Sequence, residues 1–193
     1  MEPLDKSQPA DPSETDARSD RNFRYQFAAN PLFKRQVEAS GNDVKKPKGG
    51  CRCGQLRYEV EADKLPKTYA CHCLDCQTWS GSAFSQNALV KTNAFAATGE
   101  TARFELAGGS GFVSYQSACP KCFTRVFNTN SARPGLVGIR AGTFDESNKL
   151  ELVAHIWTNR SQRGLRLDPE TSCWQEGAPA EVLFSLLDLP MPS

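Results

Sequence analysis

Along the middle of the chain, apolar and polar residues change places every second position. Leu56, Tyr58 and Val60 alternate with Arg57, Glu59 and Glu61, the period of a strand with one buried face. Similar short runs follow at Tyr69 to Cys73, Ala83 to Val90, Phe112 to Ser117, from Arg125 onward, at Leu136 to Thr143 and at Leu150 to Thr158. A turn over Phe95 to Phe104, containing Gly99, leads into a further short strand, and Gly108 to Gly111 reads as a flexible loop. No long amphipathic helix interrupts the series, so the pattern predicts an all-β domain. Only Glu181 to Leu189, dense in leucine and phenylalanine, reads as a short terminal helix.

The ends of the chain differ from this core. Residues 1–20 carry six acids, two bases and three prolines, which is the composition of a disordered tail. Residues 21–48 reverse the sign, with seven bases against two acids. Phe23, Tyr25, Phe27, Leu32 and Phe33 give that stretch something to bury, either as a short helix on the domain or as a contact between subunits. The organisation expected is a charged leader over 1–48, a domain over 49–160 and a C-terminal extension over 161–193.

Net charge is +1, which argues against a nucleic-acid partner or an anionic membrane surface. No apolar run approaches the roughly 20 residues that span a bilayer. The first residues show neither a secretion signal nor a transit peptide, so a soluble cytoplasmic protein is expected.

Eight cysteines change the picture. Seven fall in close spacings: Cys51/Cys53, Cys71/Cys73/Cys76 and Cys119/Cys122. In a chain without a secretion signal, such spacings read as metal ligands rather than disulfides. Zinc takes four ligands in closed structural sites and three protein ligands in open ones. Seven cysteines therefore divide into one site of four (Cys51, Cys53, Cys119, Cys122) and one of three (Cys71, Cys73, Cys76), or two zinc ions per chain. The expectation is that Cys71 and Cys73 share one face of a strand, with His72 on the other, and that a turn returns Cys76. A fourth ligand from His155 or Cys173 is the alternative that would close the second site. Zinc held by three thiolates is a weak Lewis acid toward water, and it suits the activation of an incoming thiol better than hydrolysis.

Gly49-Gly50-Cys51-Arg52-Cys53-Gly54, Cys71-His72-Cys73-Leu74-Asp75-Cys76 with Ser80-Gly81 and Phe84, and Cys119-Pro120-Lys121-Cys122 together resemble the glutathione-dependent formaldehyde-activating enzyme family, which includes centromere protein V. Ala141 to Asp145 and His155-Ile156-Trp157 resemble its later segments. The resemblance implies a β-tent fold with two zinc ions. The structural zinc falls on Cys51, Cys53, Cys119 and Cys122, and the catalytic zinc on Cys71, Cys73 and Cys76. It also implies a carbon–sulfur lyase that adds glutathione to formaldehyde. The chain departs from the family at Gln77, where a basic residue is usual, and at Phe123, where glycine is usual. It departs again at Ser161 to Gly164, in place of Pro-Pro-Trp.

The candidate catalytic side chains are His72, as a proton relay or orienting group, and Gln77. The candidate substrate-binding residues are Trp79, Ser80, Phe84, His155 and Trp157. Arg125 and Arg140 are read first as solvated strand arginines, with a carboxylate of a peptide-like thiol as the alternative partner. Cys173 is read as a free thiol. The partners expected are a small thiol and an electrophile. Two other readings keep the zinc sites: an enzyme turned to another substrate in a biosynthetic pathway, and a non-catalytic interaction module.

Overall fold

The computed structural model describes residues 46–107 and 111–191. The expectations placed on the leader up to residue 45 and on the loop at 108–110 lie outside the described residues. Within them the chain is all-β. A three-stranded sheet has the order β1 (Lys48–Gly50), β2 (Arg57–Val60), β5 (Phe95–Thr98). An eight-stranded sheet contains β3 (Thr68–Cys71), β4 (Ser85–Lys91), β6 (Ala102–Ala107), β7 (Val113–Ala118), β8 (Arg125–Asn130), β9 (Leu136–Arg140), β10 (Leu152–Ile156) and β11 (Ser172–Cys173). Its order is β11-β10-β3-β4-β9-β8-β7-β6. Pairing is antiparallel except at β10, which runs parallel to β3 and β11.

Alternation along the central strands gives the large sheet two different faces. Ala88 and Val90 of β4, with Val137 and Ile139 of β9, meet Leu56, Tyr58, Val60 and Phe95 of the small sheet in one apolar core. Leu89 and Leu136, one position out of step, point the other way. There they pack with Tyr69, Ala154 and the apolar side of α2 (Ala180–Leu186), namely Leu183 and Phe184. Each large side chain so buried contributes about 1.5–3 kcal/mol. Farther along the sheet, the same second face turns polar. Asn87 and Arg140 stand opposite each other on β4 and β9, and Gln116 and Asn128 stand opposite each other on β7 and β8.

An irregularity in β8 serves this face. Ser117 pairs with Phe127 and Ala118 with Arg125, leaving Val126 as the extra residue of a bulge. Val126 and Phe127 both enter the apolar core, and Arg125 faces the polar side.

Three expected strands end early, one of them β9, which stops at Arg140 before a 3-10 turn over Ala141–Thr143. β3 stops at Cys71, and Cys73 is not on it. Cys73 instead caps the N-terminus of α1 (Leu74–Ser80), its Sγ accepting from the Cys76 amide at 3.4 Å. A sulfur thus does the work usually given to a serine or aspartate oxygen. Gly81 closes the helix at φ 62°, a conformation glycine adopts without a Cβ penalty. Cys71 and Cys73 therefore do not share a strand face, and the turn that returns Cys76 is the first turn of a helix. Likewise β10 stops at Ile156, and Trp157 leaves it at φ 60°, so His155 and Trp157 do not share a strand face. The expected terminal helix is α2. Beyond residue 160 the chain also supplies β11 to the edge of the large sheet.

Candidate metal centre and substrate cavity

The sulfurs of Cys51, Cys53, Cys119 and Cys122 lie within 4.8 Å of one another, and so do those of Cys71, Cys73 and Cys76. Two contacts in the first group are 3.5 and 3.6 Å. Four thiolates at about 2.3 Å from a zinc ion would stand roughly 3.8 Å apart, so this donor set fits a tetrahedral metal. All eight cysteines are free thiols. Backbone amides also point at the sulfurs, as suits negative charge: Leu56 N–H donates to Cys51 Sγ at 3.2 Å.

Each group is assembled from local turns joined by long-range contacts. Cys51 and Cys53 follow β1, and the Gly54 amide donates back to Cys51 O at 3.0 Å. Cys119 and Cys122 lie in the turn between β7 and β8, where Phe123 N–H donates to Cys119 O at 2.9 Å. That turn places Phe123 at φ 57° and leaves the residue 78% exposed. The residue where glycine is usual therefore adopts the glycine conformation, at a cost of about 1–2 kcal/mol.

In the triplet one sulfur holds negative charge at another's expense. Bonds from the Cys71 thiol, then from Cys76, pull Cys73 down to about 2. Contact with Cys73, then Cys76, and burial push Cys71 up. Three thiolates at this spacing need a cation between them. Neither alternative fourth ligand joins the group. His155 Nδ1 lies 2.9 Å from His72 Nε2, and Cys173 Sγ donates to Thr171 O at 3.3 Å. Among the described residues the group closes on three donors.

The triplet borders a cavity of about 560 Å³. Its walls are the polar end of the large sheet's second face: Asn87, Ser114, Gln116, Asn128, Asn130, Arg125, Arg133 and Arg140. Trp79, Phe112 and Trp157 add aromatic surface. Arg140 donates to Ser85 Oγ at 2.8 Å, to Asn87 Oδ1, and to Gln116 Oε1 at 3.1 Å. Arg125 donates to the same Gln116 oxygen at 2.8 Å and lies 4.1 Å over the Trp79 ring. Trp79 in turn stacks on Phe104 at 5.0 Å. Burial, then the Arg140 charge, lowers Arg125 to about 9. Burial also lowers Arg140, against the attraction of the Cys76 charge. A second cavity of about 370 Å³ shares Trp79, Arg125 and Arg140 with the first and adds Ser80, Phe84 and Phe123.

The sequence-predicted site residues divide accordingly. Trp79 borders both cavities, Ser80 and Phe84 the second, and Trp157 the first. His72, His155 and Gln77 border neither. The two histidines are buried as a hydrogen-bonded pair beneath the Phe84 ring. Gln77 spends its amide on His72 O at 2.6 Å and Arg160 O at 2.8 Å, and accepts from Gln162 at 3.1 Å. These three residues brace the triplet's loop from behind. Arg125 and Arg140 are not solvated strand arginines: the bulge and the strand register turn them into the cavity wall. Arg133, Asn87, Gln116 and Asn128 escaped the sequence reading. The one signal for Asn87, Gln116 and Asn128 is a polar residue at every second position of strands whose other face is apolar; Arg133, in the turn between β8 and β9, has none.

No helix among the described residues is long and apolar enough to cross a membrane. No curated protein matches the chain. Three solved chains match, among them a Rhodobacter sphaeroides protein determined as a structural-genomics target. It has 15% identity, a TM-score of 0.42, and coverage of 54% of this chain and 98% of its own. Residues 46–160 match the family described as glutathione-dependent formaldehyde-activating enzyme, and that span takes in both cysteine groups and the walls of the cavity beside the triplet. With well over half of its length inside this match, the chain belongs to the glutathione-dependent formaldehyde-activating enzyme family.

Proposed function

We propose that this chain is a zinc-dependent carbon–sulfur lyase-type enzyme that adds a small, glutathione-like thiol to an aldehyde or releases it. The observation that carries this reading is a cysteine group closing on three donors at the edge of a cavity, beside a second group that closes on four. Cys51, Cys53, Cys119 and Cys122 would hold one zinc, and Cys71, Cys73 and Cys76 the other. At the second site the ion, when bound, would supply Lewis acidity that lowers the pKa of a thiol toward neutral pH.

The residues around the triplet bind and orient. Asn128 and Asn130 offer amides to a peptide-like thiol, and Arg133 offers a cation. Trp157 and Phe112 give apolar surface at the same cavity. Gln77 fixes the carbonyl of His72 and so fixes the backbone entering Cys73. The His72–His155 pair, packed on Phe84, keeps water out behind the cysteines. In the reaction the thiol sulfur bonds to the aldehyde carbon, the carbonyl π pair moves to oxygen, and the thiol proton ends there.

Zinc content and thiol addition, followed together, test the reading. The wild type should contain two zinc per chain and form hydroxyalkyl thioethers, visible by NMR. Cys73→Ser should keep its circular dichroism, lose one zinc and lose the addition. Full activity in Cys73→Ser, or one zinc per chain in the wild type, overturns the reading.

A further inference from the structure

Arg125 and Arg140 stand together in the wall that the two cavities share. Both donate to one neutral oxygen, Gln116 Oε1. Among the described residues neither is paired with a carboxylate, and the Nε of each is buried without a hydrogen-bond partner. Two half-buried cations held this close repel each other, and an anion placed between them removes that cost. Guanidinium groups match a planar carboxylate with parallel N–H donors.

The position of the pair indicates which reactant brings the anion. The first cavity already has a separate cation in Arg133, together with the amides a peptide-like thiol needs. The second cavity has no cysteine, no cation besides the shared pair, and aromatic walls from Trp79, Phe84 and Phe123. Formaldehyde has one carbon and no charge, and it uses neither feature. We infer that Arg125 and Arg140 bind the carboxylate of the carbonyl substrate at the wall the two cavities share, with its carbonyl carbon on the triplet's side of that wall, so that the electrophile is an acidic aldehyde of two or more carbons. This rests on the thiol-addition reading. The step is R–SH + OHC–R′–COO⁻ → R–S–CH(OH)–R′–COO⁻. One carbon–sulfur bond forms, the carbonyl π pair goes to oxygen with the thiol proton, and nothing is oxidised.

The test uses the full-length, zinc-loaded protein. With glutathione as the thiol, kcat/KM for glyoxylate should exceed that for its neutral methyl ester at least tenfold. Arg125→Gln and Arg140→Gln should each collapse that ratio toward one. An unreactive carboxylate such as oxalate should compete with the aldehyde and not with glutathione. Equal use of acid and ester by the wild type overturns the inference. So does a loss in the arginine variants that tracks the carboxylates of glutathione, compared through its diester, instead of that of the aldehyde. A binding measurement stands apart from turnover. Glyoxylate should change the fluorescence of Trp79, on which Arg125 stacks, saturably in the wild type and not in Arg125→Gln. Saturation with no turnover of any aldehyde would sink the thiol-addition reading and keep the anion site. Turnover of formaldehyde without glyoxylate binding would do the opposite.

Discussion

The two cysteine groups use the same atoms and differ in what surrounds them. Cys51 and Cys119 are buried within the apolar core where the small sheet meets the large one. Their four sulfurs join the chain just after β1 to the turn between β7 and β8, so a metal there clasps segments 66 residues apart. The triplet lies on the opposite face of the large sheet, at the edge of the cavity, and is assembled from the end of one strand and the first turn of one short helix. One group brings four sulfurs together, with Cys53 exposed at its outer side; the other brings three, none of them exposed, to the edge of a cavity. Under the proposed function, the group of four serves folding and the group of three serves chemistry.

The largest effect should come from opening the first group. Structural zinc sites contribute about 10–16 kcal/mol of apparent binding energy, comparable to or above the 5–15 kcal/mol that stabilises a whole domain. Cys119→Ala should therefore lose cooperative thermal unfolding and shed both metals, read by circular dichroism and zinc analysis. A folded Cys119→Ala retaining the triplet's zinc would erase the distinction between the groups. Cys76→Ala should produce the converse: one zinc lost, thiol addition reduced at least a thousandfold, and a cooperative melt retained.

The distinction between the groups was legible in the sequence because metal ligation imposes short spacings, and a count of seven divides into four and three. The strands were legible for a related reason: Leu56, Tyr58 and Val60 carry their burial in their alternation. The helix at the triplet was not, because seven residues without a buried side chain leave no apolar stripe and its cap is a cysteine. The cavity walls were hidden for a deeper reason. Asn87 meets Arg140, and Gln116 meets Asn128, only through strand register. In sequence, polar residues at alternate strand positions read as a solvated face. The bulge at Val126, which turns Arg125 inward, has no sequence mark of its own.

A core substitution on the side of the first group separates packing from metal. Ile139 is fully buried there between the sheets and contributes a donor to neither group. Ile139→Ala should cost about 2–5 kcal/mol by the lost contacts and the cavity left behind. Denaturant unfolding should show that loss with both zinc ions still bound at low denaturant. Release of the first zinc before unfolding would mean that the core holds the metal rather than the reverse.

The smallest effect belongs to Phe123, the residue that links the two regions. It follows Cys122 in the turn of the first group, and its exposed ring forms a wall of the second cavity. Its φ of 57° costs about 1–2 kcal/mol for a residue with a Cβ, and glycine avoids that cost while adding about 0.5–1 kcal/mol of unfolded-state freedom. Phe123→Gly should therefore change stability by no more than about 1.5 kcal/mol, toward greater stability. If the ring served only the turn, the variant would match the wild type in every kinetic constant. Because the ring also walls the second cavity with Arg125 and Arg140, KM for the aldehyde should rise severalfold while KM for the thiol holds. A position set beside the structural group would then report on the chemistry of the other.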